Sequence, residues 1–193
     1  MATEALNILG ISGSLRAGSY NTAALRAAQE LAPEGMSIEI GSIADIPVYN
    51  ADVQAGGFPA QVTALAEKMR AADAVLIASP EYNYSIPGGL KNAIDWLSRL
   101  PQQPFAGKPV GMLGASMSLL GAARAQYHLR QCFVFLDALP MNKPEVFITM
   151  AQQKFDAEGA LTDEPTRGFL LANLEALARW TRLVRAGQAA DAP

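Results

Sequence analysis

Apolar positions along the chain fall into two kinds of run. Residues 6–11 (LNILGI), 74–78 (AVLIA) and 110–115 (VGMLGA) are short and apolar almost throughout, and the first two are closed by small or turn-forming residues. Such runs read as strands covered on both faces. Residues 146–150 (VFITM) form a further run of this kind. Residues 36–42 (MSIEIGS) instead alternate apolar and polar, as an edge strand does. Between these lie longer segments at 22–31, 61–72, 89–100, 122–136 and 167–184, which predict helices. Pro33 breaks the first, and Val62, Leu65, Ala66 and Met69 give the second its inward stripe.

Strands that alternate with helices of this length imply parallel pairing through right-handed crossovers. Five of them predict an α/β fold: a flavodoxin-like, doubly wound, five-stranded parallel sheet of order 2-1-3-4-5 with helices on both faces. Ligands of such sheets bind beyond the carboxyl ends of the strands, where the strand order reverses. The informative residues are therefore expected at 12–20, 80–87 and 116–121, after the first, third and fourth strands.

Composition narrows the field. The chain has 193 residues, half of them hydrophobic, enough for a single domain over 1–185, with 186–193 (AGQAADAP) expected to be a disordered tail. The net charge of −3 is scattered, which argues against nucleic acid and anionic membrane surfaces as partners. A single cysteine, Cys132, excludes an intrachain disulfide and a cysteine metal cluster and suits a reducing compartment. The start of the chain lacks a signal-peptide pattern and no run has the length of a membrane span, so a cytoplasmic location is expected.

The first loop, GISGSLRAGSYNT (10–22), has the wrong glycine spacing for a dinucleotide fingerprint and no Lys-Ser/Thr pair for a nucleotide-hydrolysing loop. It remains a hydroxyl-rich anion cradle. Ser12, Ser14 and Ser19 can donate O–H and Asn21 can donate N–H, while the helix beginning near 21 or 22 directs its N-terminus at the anion. Arg16, the only cation in residues 1–25, can fork onto two phosphate oxygens. Taken singly, Ser19 or Asn21 serves equally well as a helix cap.

The second loop, SPEYNYSIPGGLKNAIDWL (79–97), is bracketed by Pro80 and Pro87 and carries Tyr82, Asn83 and Tyr84. This composition suits a flat ring system with polar edges; the alternative is a tight turn with exposed tyrosines. The third loop, SMSLLGAAR (116–124), is small enough for a planar ligand to approach its backbone.

Together G-S-L-R-x-G-S-x-N, P-E-Y-N-x-S-I-P-G-x-L-K-N-A-I-D-W, and G-A-S followed by G-x-x-R-A-Q resemble the NADPH-dependent FMN reductase family, in its branch of bacterial quinone and chromate reductases. The resemblance implies a non-covalent FMN with its phosphate on Ser14, Arg16, Ser19, Asn21 and Thr22, beside Ser12. It places the ring against Pro80, Glu81, Tyr82 and Asn83, next to Tyr84, with Ser116 closing the other side. NADPH or NADH would pass a hydride to the flavin. A small acceptor (quinone, chromate or free flavin) would then take its turn on the same face, in ping-pong order. No side chain is required as a catalytic acid, base or nucleophile, and no metal is implied. Glu81 is read as orienting its loop, His128 as structural or solvent-facing, and Cys132 as a small buried hydrophobe.

Family members are dimers or tetramers, so a homodimer or homotetramer is implied, with Tyr84, Arg124, Tyr127 and Glu145 either in contacts across subunits or solvated. The run CFVFL (132–136) is apolar on every face, which fits either a buried helix end or an oligomer interface. Two rivals share the fold: a reductase that releases reduced FMN to a partner monooxygenase, and an electron-transfer flavodoxin. Carriers of the second kind tend to be strongly acidic around the flavin, whereas Arg16, Lys91, Arg99 and Arg124 are expected in or near this site.

Overall fold

The structure, a computed structural model, describes residues 5–190. Six strands and six α-helices follow one another as β1 (Leu6–Ser12), α1 (Tyr20–Glu30), β2 (Met36–Gly41), α2 (Ala51–Ala55), α3 (Ala60–Ala71), β3 (Ala74–Ala78), α4 (Gly88–Ser98), β4 (Pro109–Ala115), α5 (Ala123–Phe135), β5 (Leu139–Pro140), β6 (Val146–Ile148) and α6 (Glu164–Ala190). All strand pairs are parallel and the order is β2-β1-β3-β4-β5, the doubly wound arrangement that the alternation of runs implies.

The fifth position is shared. Leu139 and Pro140 pair with the start of β4, and Val146, Phe147 and Ile148 pair with its end. Proline cannot donate to a ladder, which suits Pro140 to this outermost place.

Strand alternation divides the core. Leu6 and Ile8 of β1 and Ala74, Leu76 and Ala78 of β3 face α1 and α6, where Leu25, Leu170, Leu174 and Leu177 meet them. Leu9 and Ile11, with Val75 and Ile77, face α3, α4 and α5, packed on Leu65, Trp96, Leu97 and Phe133. Both faces of β3, and of β1 from Ile8 onward, are buried, which is why their sequences show no sustained polar alternation.

Local polar contacts fix the ends of elements. Ser19 Oγ accepts the amides of Asn21 and Thr22 and starts α1. Asp163 does the same for α6: its Oδ2 accepts the Thr166 amide and hydroxyl, contacts that hold the Asp163 carboxyl below its ordinary range. The long connection between β2 and α3 is pinned by Trp96 Nε1 and Asn92 Nδ2, which donate to the Pro47 carbonyl at 2.8 and 2.9 Å.

The final helix corrects the expected tail. It runs to Ala190, past residue 185, because Arg185 pairs with Asp73 at 3.0 Å and Gln188 donates to the Gly107 carbonyl at 2.9 Å. Residues 191–193 of that tail lie outside the described residues. No helix among the described residues is long and apolar enough to cross a membrane.

Candidate functional site

β1, β3 and β4 are neighbours in the sheet, so the loops that leave their carboxyl ends emerge side by side. Main-chain bonds continue the ladder into them: Gly13 N–H donates to the Ala78 carbonyl at 2.8 Å and Ser79 N–H to the Leu113 carbonyl at 3.0 Å. The three loops picked out by residue type thus form one rim.

The first loop folds over its own hydroxyls. Thr22 Oγ1 donates to Ser12 Oγ at 2.9 Å, and Ser12 Oγ in turn contacts the Ser14 main chain. Ser12 and Ser14 are buried, Thr22 is half-buried, and Arg16 is exposed. Ser12, Ser14, Arg16 and Thr22 line a cavity of about 280 Å³ together with Arg26 and Ser42. Arg26 was not anticipated, although its position four residues after Thr22 places it on the same helical face.

Ser19 and Asn21 are engaged differently from the phosphate role expected of them. Ser19 Oγ is the cap of α1. Asn21 is turned into the protein: its Nδ2 donates to the Ala115 carbonyl at 3.0 Å and its Oδ1 accepts the Ala115 amide at 2.9 Å. These two bonds brace α1 against the end of β4.

The second loop is a tight hairpin. Tyr82 and Ser85 exchange two main-chain bonds of 3.0 Å, with Asn83 and Tyr84 at φ of 50° and 66° between them. Two successive left-handed residues define the type I′ geometry, which asparagine adopts readily and tyrosine does not. Pro80 is buried, whereas Tyr82, Asn83 and Tyr84 are exposed. The Arg124 guanidinium lies 3.4 Å from the centre of the Tyr84 ring.

Glu81 ties this hairpin to the third loop. Its carboxylate accepts Arg124 Nε at 2.6 Å and the main-chain amides of Arg124 and Ala125 at 3.0 and 3.4 Å. Helix α5 has no cap of its own, since Ala122 precedes it in a left-handed conformation. Glu81 supplies that cap and places negative charge at the positive end of the helix. Its expected loop-orienting part thus has a concrete partner, 43 residues away.

In the third loop Ser116 Oγ and Ser118 Oγ share a 2.7 Å hydrogen bond, and Met117 and Leu119 are exposed. Gly114 and Gly121 let β4, β6 and the start of α5 meet: a Cβ on Gly114 would lie 2.8 Å from both Ala122 Cβ and the Ser79 carbonyl oxygen.

The other cations expected near the site are otherwise engaged. Lys91 pairs with Asp95 at 2.6 Å, and Arg99, at the far end of α4, sits over the Tyr49 ring. His128 is exposed, with its Nδ1 2.9 Å from Ser85 Oγ. Cys132 is half-buried rather than buried, and loss of solvent pushes its thiol up from the ordinary range. Tyr127 donates to Glu145 at 3.0 Å within the chain, and the Lys143 ammonium, 2.9 Å away, holds Glu145 below the usual carboxylate range. Only part of the CFVFL run is core: Phe133 is buried, but Val134 and Phe135 are 83% and 90% exposed.

The sequence pattern that defines the NADPH-dependent FMN reductases matches residues 6–153, a span that contains all three loops. The chain belongs to this family. It is 58% identical to the NAD(P)H-dependent FMN reductase of Pseudomonas aeruginosa, over 95% of this chain and 99% of that one. It is 52% identical to the quinone reductase of Escherichia coli, again over 95% and 99%. Among solved structures, FerB from Paracoccus denitrificans, a flavoenzyme NAD(P)H:(acceptor) oxidoreductase, superposes with a TM-score of 0.84 at 35% identity, covering 92% of this chain and 97% of that one.

Proposed function

We propose that the chain is an FMN-dependent NAD(P)H oxidoreductase for small acceptors: quinones first, with chromate and free flavin in the same class. The observation that carries this reading is the 280 Å³ cradle at the end of β1, lined by Arg16, Arg26 and the hydroxyl-bearing Ser12, Ser14, Thr22 and Ser42. Its loop meets the second loop at Gly13, where an added Cβ would lie 3.2 Å from Pro80 Cδ. The residues present fit a flavin phosphate. Arg16 has no carboxylate partner among the described residues, so its guanidinium is available to an anion.

In this reading Arg16 forks onto the phosphate while Ser12, Ser14 and Thr22 offer hydroxyls to its remaining oxygens. Ser19 and Asn21 act one step back, fixing the start of α1 and its distance from β4. Pro80 and the main chain through Tyr84 flank the ring, Ser116 stands on its other side, and Glu81 keeps those two walls in register. When bound, FMN supplies the redox chemistry, accepting a hydride from nicotinamide and yielding electrons to the acceptor in ping-pong order. The chain's own part is binding, orientation and shielding, with no side chain as acid or base. The domain belongs in the cytoplasm, consistent with a single half-buried cysteine.

Arg16→Ala is expected to weaken FMN binding by roughly ten- to a hundredfold, the equivalent of one charge-assisted contact. Because Arg16 is exposed, its thermal unfolding should stay within about a degree of the parent's. A flavin fluorescence titration measures the first and calorimetry the second; affinity within about threefold of the parent would remove Arg16 from the site. Bleaching of the bound yellow chromophore by NADPH or NADH under anaerobic conditions tests the reductase assignment itself.

The bare pair Val134 and Phe135 at the end of α5 supports a homodimer or homotetramer. Replacing both by serine should lower the sedimenting mass, to one chain from a dimer or to a smaller assembly from a tetramer. An unchanged mass would place the contact elsewhere.

A further inference from the structure

The flavin-phosphate cradle carries a second arginine. Arg26 lines the same cavity as Arg16, from the face of α1 that also presents Thr22. Neither arginine has a carboxylate within ion-pair distance among the described residues. Elsewhere on the molecule Lys68, Lys91, Arg124, Lys143, Arg167 and Arg185 each meet an acid, while Arg70, Arg99 and Arg130 are held singly by carbonyls, an aromatic ring or an amide. Two unmatched guanidinium groups on one cavity are therefore a local excess of positive charge.

A helix start commonly supplies the attraction that an anion needs, through its free N–H groups. Here it is largely spent. Ser19 Oγ accepts the amides of Asn21 and Thr22, and the Ser19 carbonyl accepts that of Ala23. Charge balance must then come from side chains. A phosphate monoester carries about −1.5 to −2 near neutrality, with a second pKa of about 6. One guanidinium leaves roughly half of that uncompensated, and a second brings the site close to neutral.

We propose that Arg26 is the second cation of this site, and that the pair makes the chain selective for the dianionic phosphate of a phosphorylated flavin over unphosphorylated riboflavin. The proposal rests on the reading of the cavity as the flavin-phosphate cradle. The cavity they share runs from the first loop to Ser42, just after β2.

The test is a fluorescence titration of the flavin-free full chain with FMN and with riboflavin, for the parent, Arg26→Ala and Arg26→Lys. At about pH 7.5 Arg26→Ala should bind FMN roughly tenfold more weakly while riboflavin affinity changes less than about twofold. At about pH 5, where the phosphate is mostly a monoanion, the FMN loss should shrink to about threefold. Arg26→Lys should recover most of the neutral-pH affinity because the charge is kept. An FMN affinity within about twofold of the parent at both pH values, or an equal loss for riboflavin, would overturn the assignment and leave Arg26 a structural residue. If the parent chain itself binds neither flavin, the cradle reading fails and Arg26 falls with it, an outcome distinct from the first two.

Discussion

Asn21→Leu is expected to cost about 3 kcal/mol of stability and to lower the melting temperature by roughly 6–12 °C. Pairing between β3 and β4 ends at Ala78 and Leu113, where the chain turns off through Ser79 and Pro80. Ala115 lies beyond that point; β6 flanks it on one side, but on the β3 side its amide and carbonyl would be left without a strand. The Asn21 amide takes the vacant ladder place, accepting from one and donating to the other at 2.9 and 3.0 Å, with the side chain only 3% exposed. Leucine keeps the branched arrangement of heavy atoms, is bulkier, and satisfies neither group, and each unmet buried main-chain group costs about 1–3 kcal/mol. The loss should appear in urea unfolding as a lower midpoint at unchanged slope. Flavin affinity should fall as well, because the same two bonds set the distance between the first loop and Ser116. A variant that unfolds within about 0.5 kcal/mol of the parent would show that water replaces the amide without penalty.

Gly121→Ala is expected to be at least as damaging, by about 3 kcal/mol. Gly121 has φ of 54°, and a Cβ there would stand 2.7 Å from the Phe147 carbonyl carbon, 2.8 Å from Phe147 Cβ and 2.9 Å from the Ile148 nitrogen. The left-handed backbone alone costs a non-glycine residue about 1–2 kcal/mol. The rest comes from overlap with β6, whose main chain is paired to β4 and cannot step back. Gly168→Ala provides the contrast: it lies on the open side of α6 with nothing within 4 Å of the added carbon. There the same substitution should stabilise by about 0.5–1 kcal/mol, through helix propensity alone. Equal unfolding midpoints for the two variants would refute the steric argument.

The sheet and its covering helices were readable because β3 and β4 are buried on both faces, as is β1 apart from Asn7, and so appear as nearly unbroken apolar runs. Elements that bury little escaped. Helix α2 has no buried residue and therefore no apolar period; it is held by the Asn50 cap and the neighbouring loop contacts. β5 has only two residues, one of them proline. The start of α6 hides behind Pro165, which a first helical turn accepts without loss. Its last turns are tied by Arg185 and Gln188 to residues about eighty or more positions away, which no local pattern records.

At the site, composition and strand order brought out the three loops that the sheet sets side by side, but residue type cannot tell an outward polar group from an inward one. Ser19, read as a phosphate donor, also caps α1, and Asn21 faces Ala115. The union of Glu81 with the start of α5 spans 43 residues and has no local signature at all. Arg26 needed only the four-residue spacing from Thr22 to be noticed, once the helix was known to begin at Tyr20.

The division of the outermost strand into pieces of two and three residues bears on how copies of the chain avoid sticking together. A free sheet margin invites a foreign strand in proportion to the uninterrupted length it offers. Here that margin is broken between Pro140 and Val146, with a proline on one side of the gap, so no guest strand finds more than a few consecutive partners. Amyloid-like growth from this side is thereby discouraged, and the exposed Lys143 in the gap adds a charge against it; the opposite margin is the six-residue β2.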